Sequence, residues 1–229
     1  MKIAIIPARG GSKRIPKKNI KVFRGRPVIS YAIDAAKKSQ LFDKIVVSTD
    51  DERISQTAQK YGAEVPFVRP KSLSDDKTSS VDVIKHCLKH LNQNKLFFED
   101  VCCIYPCVPF LKKENLIKSF RLYSKRKDKF CIAISEFPSS IERALKKGEN
   151  NLLKPLVKKN EVKRTQDLKN SYFDAGQFYW GQNKLWLQNI SVHSNSVGFE
   201  IDSLFAVDID NQSDWKKAET LFDLFKKSS

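Results

Sequence analysis

The sequence predicts an α/β fold, a mainly parallel sheet with helices on both faces and a β-hairpin or arm insertion late in the chain. Three observations predict it. Short apolar runs alternate with segments of helical spacing up to residue 135. The runs are continuously apolar, as strands covered on both faces must be, rather than apolar at every second residue. The rhythm stops after residue 136 and returns near the C-terminus.

Each element has its own local reason. KIAII (2–6) reads as the first strand. PVISYAIDAAKKS (27–39) places Val28, Tyr31, Ala32 and Ala35 at helical spacing, with Pro27 in a first-turn position. KIVVST (44–49) is the second strand, and DERISQTAQKYG (51–62) a helix closed by glycine. AEVPFVRP (63–70) is a third extended segment. In SSVDVIKHCLKHL (79–91), Val83, Ile84, Cys87, Leu88 and Leu91 form one helical stripe. VCCIY (101–105), the helix KENLIKSFRLYSK (113–125) and FCIAIS (130–135) follow. Residues 137–182 read as the insertion. SLFAVDID (203–210) is predicted as the last strand, before the helix SDWKKAETLFDLFKK (213–227). Ser213 suits the cap of that helix, and Trp215, Ala218, Leu221, Phe222 and Phe225 its apolar stripe. Neither a linker nor an internal repeat divides the 229 residues, so one domain is expected.

Composition narrows the function. At 41% hydrophobic the chain has a core, and no apolar run approaches the roughly 20 residues of a membrane helix. The N-terminus lacks a signal-peptide pattern, so a cytoplasmic protein is expected. Five cysteines, at 87, 102, 103, 107 and 131, include no CxxC pair, and read as reduced core thiols. His86 and His90 stand four apart on one helix without a third ligand, so no metal or catalytic role is assigned to them. The net charge of +16 fits a nucleic-acid ligand or an anionic substrate. Its distribution is uneven: the first 33 residues hold nine Lys or Arg and no acid. The KRKDK run (125–129) reads as a solvated face at a helix C-terminus.

The stretch IIPARGGSKRIPKKN (5–19) follows the first strand. Ligands of open α/β sheets bind beyond the carboxyl ends of the strands. Gly10 and Gly11 let backbone amides approach an anion, and Arg9, Lys13, Arg14, Lys17 and Lys18 can neutralise a polyphosphate. Neither GxGxxG nor GxxxxGK[ST] is present. Asp208 and Asp210, two apart on a strand, project to one face and can approach one hard cation. Spacing alone equally fits solvated acids at a strand end.

PARGGSKRIPKKN, VVSTDDERI, VRPKSLSDDKTSSVDVIKHCL and VDIDNQSDW stand in an order that resembles the sugar nucleotidyltransferases known as CMP-sialic acid synthetases. KRTQDLKNSYFDAGQFYWG (163–181) is similar to the pseudaminic acid cytidylyltransferases of that family. The resemblance implies a Rossmann-like fold of the nucleotide-diphospho-sugar transferase type. It implies condensation of CTP with an acidic nine-carbon (nonulosonate) sugar to a CMP-sugar and pyrophosphate, Mg²⁺ as cofactor, and a homodimer with 137–182 as a dimerisation or sugar-binding arm. By resemblance, Arg9 and Lys18 hold the triphosphate, with Ala8, Gly10, Gly11 and Ser12 as the loop. Asn19, Arg69 and Ser80 contact the nucleotide and its base. Asp208 and Asp210 hold the metal and, with Arg9 and Lys18, form the catalytic set. Arg164 takes the sugar carboxylate, and Tyr105, Asp174, Gln177 and Tyr179 line the sugar pocket. Two departures fall on the sugar side: Ala175-Gly176 replaces an Asn-Gly pair, and Tyr105 stands where a glutamine is expected. Sialic acid or another acidic sugar therefore remains an alternative. A basic nucleic-acid-binding protein is the rival from another class; it lacks an aromatic-interleaved platform near the loop.

Overall fold

The computed structural model describes residues 1–188 and 190–227. Strand β1 (Lys2–Pro7) lies inside the sheet because Ile3, Ala4, Ile5 and Ile6 are all fully buried, alternately on its two faces. A two-residue hairpin, β2 (Val22–Phe23) and β3 (Arg26–Pro27), leads to α1 (Ile29–Ser39). Then come β4 (Lys44–Ser48), α2 (Glu52–Lys60), α3 (Ser80–Gln93), β5 (Asp100–Ile104), α4 (Lys113–Tyr123) and β6 (Phe130–Glu136). The excursion that follows carries the small hairpin β7 (Leu145–Lys147) and β8 (Leu153–Pro155). The chain returns as β9 (Tyr172–Gln182), α5 (Asn183–Leu187), β10 (Ser196–Glu200) and α6 (Gln212–Lys227).

Six strands form the main sheet in the order β10-β6-β9-β5-β1-β4. β1 is parallel to β4 and β5, and β10 to β6; β9 alone runs antiparallel to its neighbours. Ala4 and Ile6 meet Ile29, Ala32 and Ile33 of α1, Ile54 of α2 and Leu116 of α4 on one face. Ile3 and Ile5 meet Ile84, Cys87 and Leu88 of α3 and Trp186 of α5 on the other. Helices thus cover both faces, as predicted. A third cluster, with Ile15, Phe23, Tyr31, Ile209 and Trp215, seats α6 beyond the C-terminal end of β1. All five cysteines are free, and Cys107 alone is only half-buried. Among the described residues no helix is long and apolar enough to cross a membrane.

Several local expectations are corrected. Residues 203–210 form no strand. A 3-10 turn (Ser203–Phe205) precedes a segment that joins no ladder, and β10 already occupies the open edge of β6. Gly198 permits that pairing: a Cβ there would stand 2.3 Å from Ile134 Cδ1. The segment 63–70 contributes only isolated bridges, Val46 with Glu64 and Thr49 with Val68. Asn211, not Ser213, caps α6, its Oδ1 accepting from the amides of Ser213 (2.8 Å) and Asp214 (3.1 Å). Residues 172–182 are an interior strand of the sheet, so the excursion proper spans 137–171.

Candidate active site

The loop after β1 is held in shape from below. Ala8 N donates to Ser48 O (2.9 Å), extending the parallel ladder, and Gly10 N donates to Asp50 Oδ1 (2.9 Å). A side chain at Gly10 would meet Asp51 Cβ at 2.8 Å, so only glycine fits, whereas Gly11 faces open space. Lys17, in the left-handed region (φ 54°), turns the chain into a short 3-10 segment that buries Asn19. Asn19 Nδ2 donates to Arg9 O (2.9 Å), and Cys107 Sγ donates to Asn19 Oδ1 (3.3 Å). Burial pushes the Cys107 thiol up to about 12.

Lys18 Nζ donates to Ile209 O (2.7 Å), which ties this loop to the segment before α6. Ile209 is 1% exposed in the third cluster, and the residues on either side of it line the cavity. Asp208 and Asp210 therefore both face the cavity. Asp210 pairs with Arg14 (2.9 Å) and Lys18 (3.6 Å). Asp208 reaches solvent at the cavity mouth, yet burial against the wall raises its carboxyl pKa and the Asp210 charge raises it further.

Across the cavity, Arg69 is 3% exposed. Its guanidinium contacts Ser74 Oγ (3.1 Å) and Asp50 (3.6 Å), and desolvation lowers its pKa. Ser80 opens α3, with Oγ 3.2 Å from the Tyr105 hydroxyl. Tyr105 donates to the Tyr179 hydroxyl (3.3 Å), and Tyr179 donates to Asp174. A register shift opposite Ile132–Ile134, beside Gly176 at φ +60°, changes the parity of β9. Asp174 and Tyr179, five residues apart, thereby share one face.

The cavity these walls enclose measures about 790 Å³, within the usual range for small-molecule sites. Arg9, Ser12, Lys18, Asn19, Arg69 and Ser80 line it, as do Tyr105, Asp174, Tyr179, Asp208 and Asp210. The remaining candidates lie elsewhere. Ala8 is buried under the loop, and Gly10 and Gly11 shape it without lining the cavity. Gln177 is buried where β9 changes parity and donates to Phe205 O (2.7 Å). Arg164 sits on the excursion, paired with Asp167 (3.0 Å).

Sequence reasoning missed Asp76 and His193. Asp76 bridges Arg9 (2.5 Å) and Lys13, whose hydrogen bonds lower its carboxyl pKa. Its only signal was the Asp-Asp pair ahead of α3. His193 Nε2 lies 2.8 Å from Asp174 Oδ2, from a segment without periodicity.

The donor set suits Mg²⁺. Two hard carboxylates face one cavity, and one of them is disfavoured as a free anion. Among the described residues no group of three or more His, Cys, Asp or Glu could hold a metal by itself. A cation here would need further oxygens from a ligand, which is the habit of Mg²⁺ with phosphates.

The family model described as Cytidylyltransferase matches residues 3–227. The chain belongs to the cytidylyltransferase family. Among relatives of this cytidylyltransferase, the pseudaminic acid cytidylyltransferase of Campylobacter jejuni subsp. jejuni serotype O:2 is 41% identical, over 99% of this chain and 98% of its own. The CMP-N,N'-diacetyllegionaminic acid synthase of Legionella pneumophila subsp. pneumophila is 32% identical, over 97% of this chain and 96% of its own. A solved CMP:2-keto-3-deoxy-manno-octonic acid synthetase in complex with CTP superposes with a TM-score of 0.71 at 16% identity, covering 97% of this chain and 98% of that one. This likeness establishes the shared fold of the cytidylyltransferase, a Rossmann-like sheet.

Proposed function

We propose that the protein transfers CMP from CTP to an acidic nonulosonate sugar, pseudaminic acid, and releases pyrophosphate. The observation that carries this reading is the 41% identity to a pseudaminic acid cytidylyltransferase over nearly the whole of both chains. The cavity supports it, because cationic and acidic walls face each other across a volume suited to a nucleotide and a sugar.

In this reading Arg9 and Lys18 hold the triphosphate, with Lys13 and Arg14 adding charge at its open end. Arg69 and Ser80 hold the base. Tyr105, Asp174 and Tyr179 border the sugar. Asp208 and Asp210 would hold Mg²⁺, which when bound neutralises charge on phosphate oxygens. The sugar's anomeric oxygen attacks the α-phosphorus, the bond from that phosphorus to the oxygen shared with the β-phosphate breaks, pyrophosphate leaves, and the hydroxyl proton is lost to solvent. The protein's contribution is alignment and charge neutralisation. The excursion exposes Leu145, Leu152, Leu153, Leu156 and Val162, an apolar surface that fits a second copy. A homodimer is therefore part of the proposal, as is a cytoplasmic site of action, consistent with five free thiols.

Pyrophosphate release with CTP, Mg²⁺ and a panel of acidic sugars tests the reading, with product mass as the second readout. Pseudaminic acid is expected to turn over fastest and to give its CMP adduct. Preference for sialic acid or an eight-carbon acid would overturn the sugar, and no product from any of them the activity. Sedimentation of the full chain as a monomer would overturn the dimer.

A further inference from the structure

A carboxylate at one end of a hydrogen-bond chain fixes the direction of every proton along it, because an ionised carboxylate only accepts. Asp174 is such an end. Its Oδ1 accepts from Gly176 N (2.9 Å), and its Oδ2 takes the Tyr179 hydroxyl and His193 Nε2 (2.8 Å). Tyr179 has one hydroxyl hydrogen, and it is spent on Asp174. The Tyr105 hydrogen is spent on Tyr179 (3.3 Å). Ser80 Oγ, 3.2 Å from the Tyr105 hydroxyl, must then be the donor of that last bond. Burial pushes Tyr105 up to about 12 and also raises Tyr179, so both remain protonated at working pH.

An unconstrained serine hydroxyl rotates and serves either partner. Here its hydrogen is committed to Tyr105 along the cavity wall, and only lone pairs are left for a ligand. Cytosine carries an exocyclic amino donor where uracil carries a carbonyl acceptor. We infer that the Asp174–Tyr179–Tyr105 relay makes Ser80 Oγ an obligate acceptor toward the cavity and so selects CTP over UTP. The inference rests on the proposed function, which puts the base beside Ser80. Asp174, Tyr179 and Tyr105 are positioning residues in this selection, acting through Ser80, and His193 and Gly176 anchor the carboxylate end.

The test is equilibrium binding of CTP and of UTP, with Mg²⁺ and without sugar, to the wild-type protein and to Tyr179→Phe and Tyr105→Phe. Both changes keep the ring and remove one hydroxyl. In Tyr179→Phe the Tyr105 hydroxyl loses its acceptor and turns its hydrogen to Ser80, whose own hydrogen is freed for the cavity. In Tyr105→Phe, Ser80 becomes a free rotor. The CTP-to-UTP affinity ratio is expected to fall by about tenfold or more in each, the equivalent of one hydrogen bond mismatched or restored. A merely structural role would weaken both nucleotides alike and leave the ratio unmoved. A wild-type protein that prefers CTP, with both variants retaining its ratio, overturns the relay alone. A wild-type protein that does not bind CTP overturns the proposed function and the relay with it.

Discussion

Replacing Ile209 by alanine separates the packing of the acidic segment from its chemistry. Ile209 is 1% exposed and sits among Phe23, Trp215 and Ala218, while its carbonyl accepts from Lys18 Nζ at 2.7 Å. Removing a buried isoleucine's outer carbons costs about 2–5 kcal/mol, a large share of the roughly 5–15 kcal/mol that holds a domain folded. For a chain of 229 residues each kcal/mol moves Tm by about 2–4 °C. Ile209→Val, which removes one carbon, should cost about 0.5–1.5 kcal/mol. Ile209 is also the residue that turns Asp208 and Asp210 toward the cavity. With that anchor gone, kcat/KM measured well below Tm should fall about a hundredfold, the scale of a 1 Å misplacement. The assays are thermal melts and pyrophosphate release on the same samples. Wild-type turnover by a clearly destabilised Ile209→Ala protein would refute the positioning argument, and an unchanged Tm would refute the packing.

Three further outcomes follow from the same geometry. Burial and the neighbouring Asp210 both disfavour the ionised form of Asp208, so Asp208→Asn should melt above wild type in EDTA while losing turnover; a lower Tm contradicts this. Asp76 occupies Arg9 and Lys13 as an internal anion, so Asp76→Asn should tighten CTP binding by up to about fivefold in titration calorimetry; weaker binding would mean that Asp76 holds Arg9 for the substrate. Burial pushes the thiols of Cys87 and Cys131 up to about 12, and Cys102 and Cys103 are fully buried, so a disulfide reagent should react quickly with none of these four until the chain is denatured. Rapid reaction of any of the four in the native protein contradicts that.

The sheet and its helices were legible up to residue 135 because both faces of β1 and β5 are buried, and continuous apolar runs report that condition directly. The place of β9 was not legible. It lies in the stretch read as an insertion, carries a positive-φ glycine, and its place between β5 and β6 is decided by partners remote in sequence. The shared facing of Asp208 and Asp210 was legible although the expected strand is absent: Ile209 between them is buried, and both aspartates line the cavity. The cations of the first loop were legible as a cluster. Asp76 and His193 were not, because polar residues in irregular segments look solvated until Arg9 and Asp174 come within bonding distance. Gln177 was placed with Tyr179 in the sugar pocket by resemblance; in the structure it is buried and donates to Phe205 O instead of lining the cavity.

The most direct measurement is a crystal structure of the protein with CTP and Mg²⁺. The account predicts the triphosphate among Arg9, Ser12 and Lys18, the base against Arg69 and Ser80, and one cation shared by Asp208, Asp210 and phosphate oxygens. A nucleotide bound outside this cavity, or inside it with both aspartates turned away from the phosphates, would contradict it.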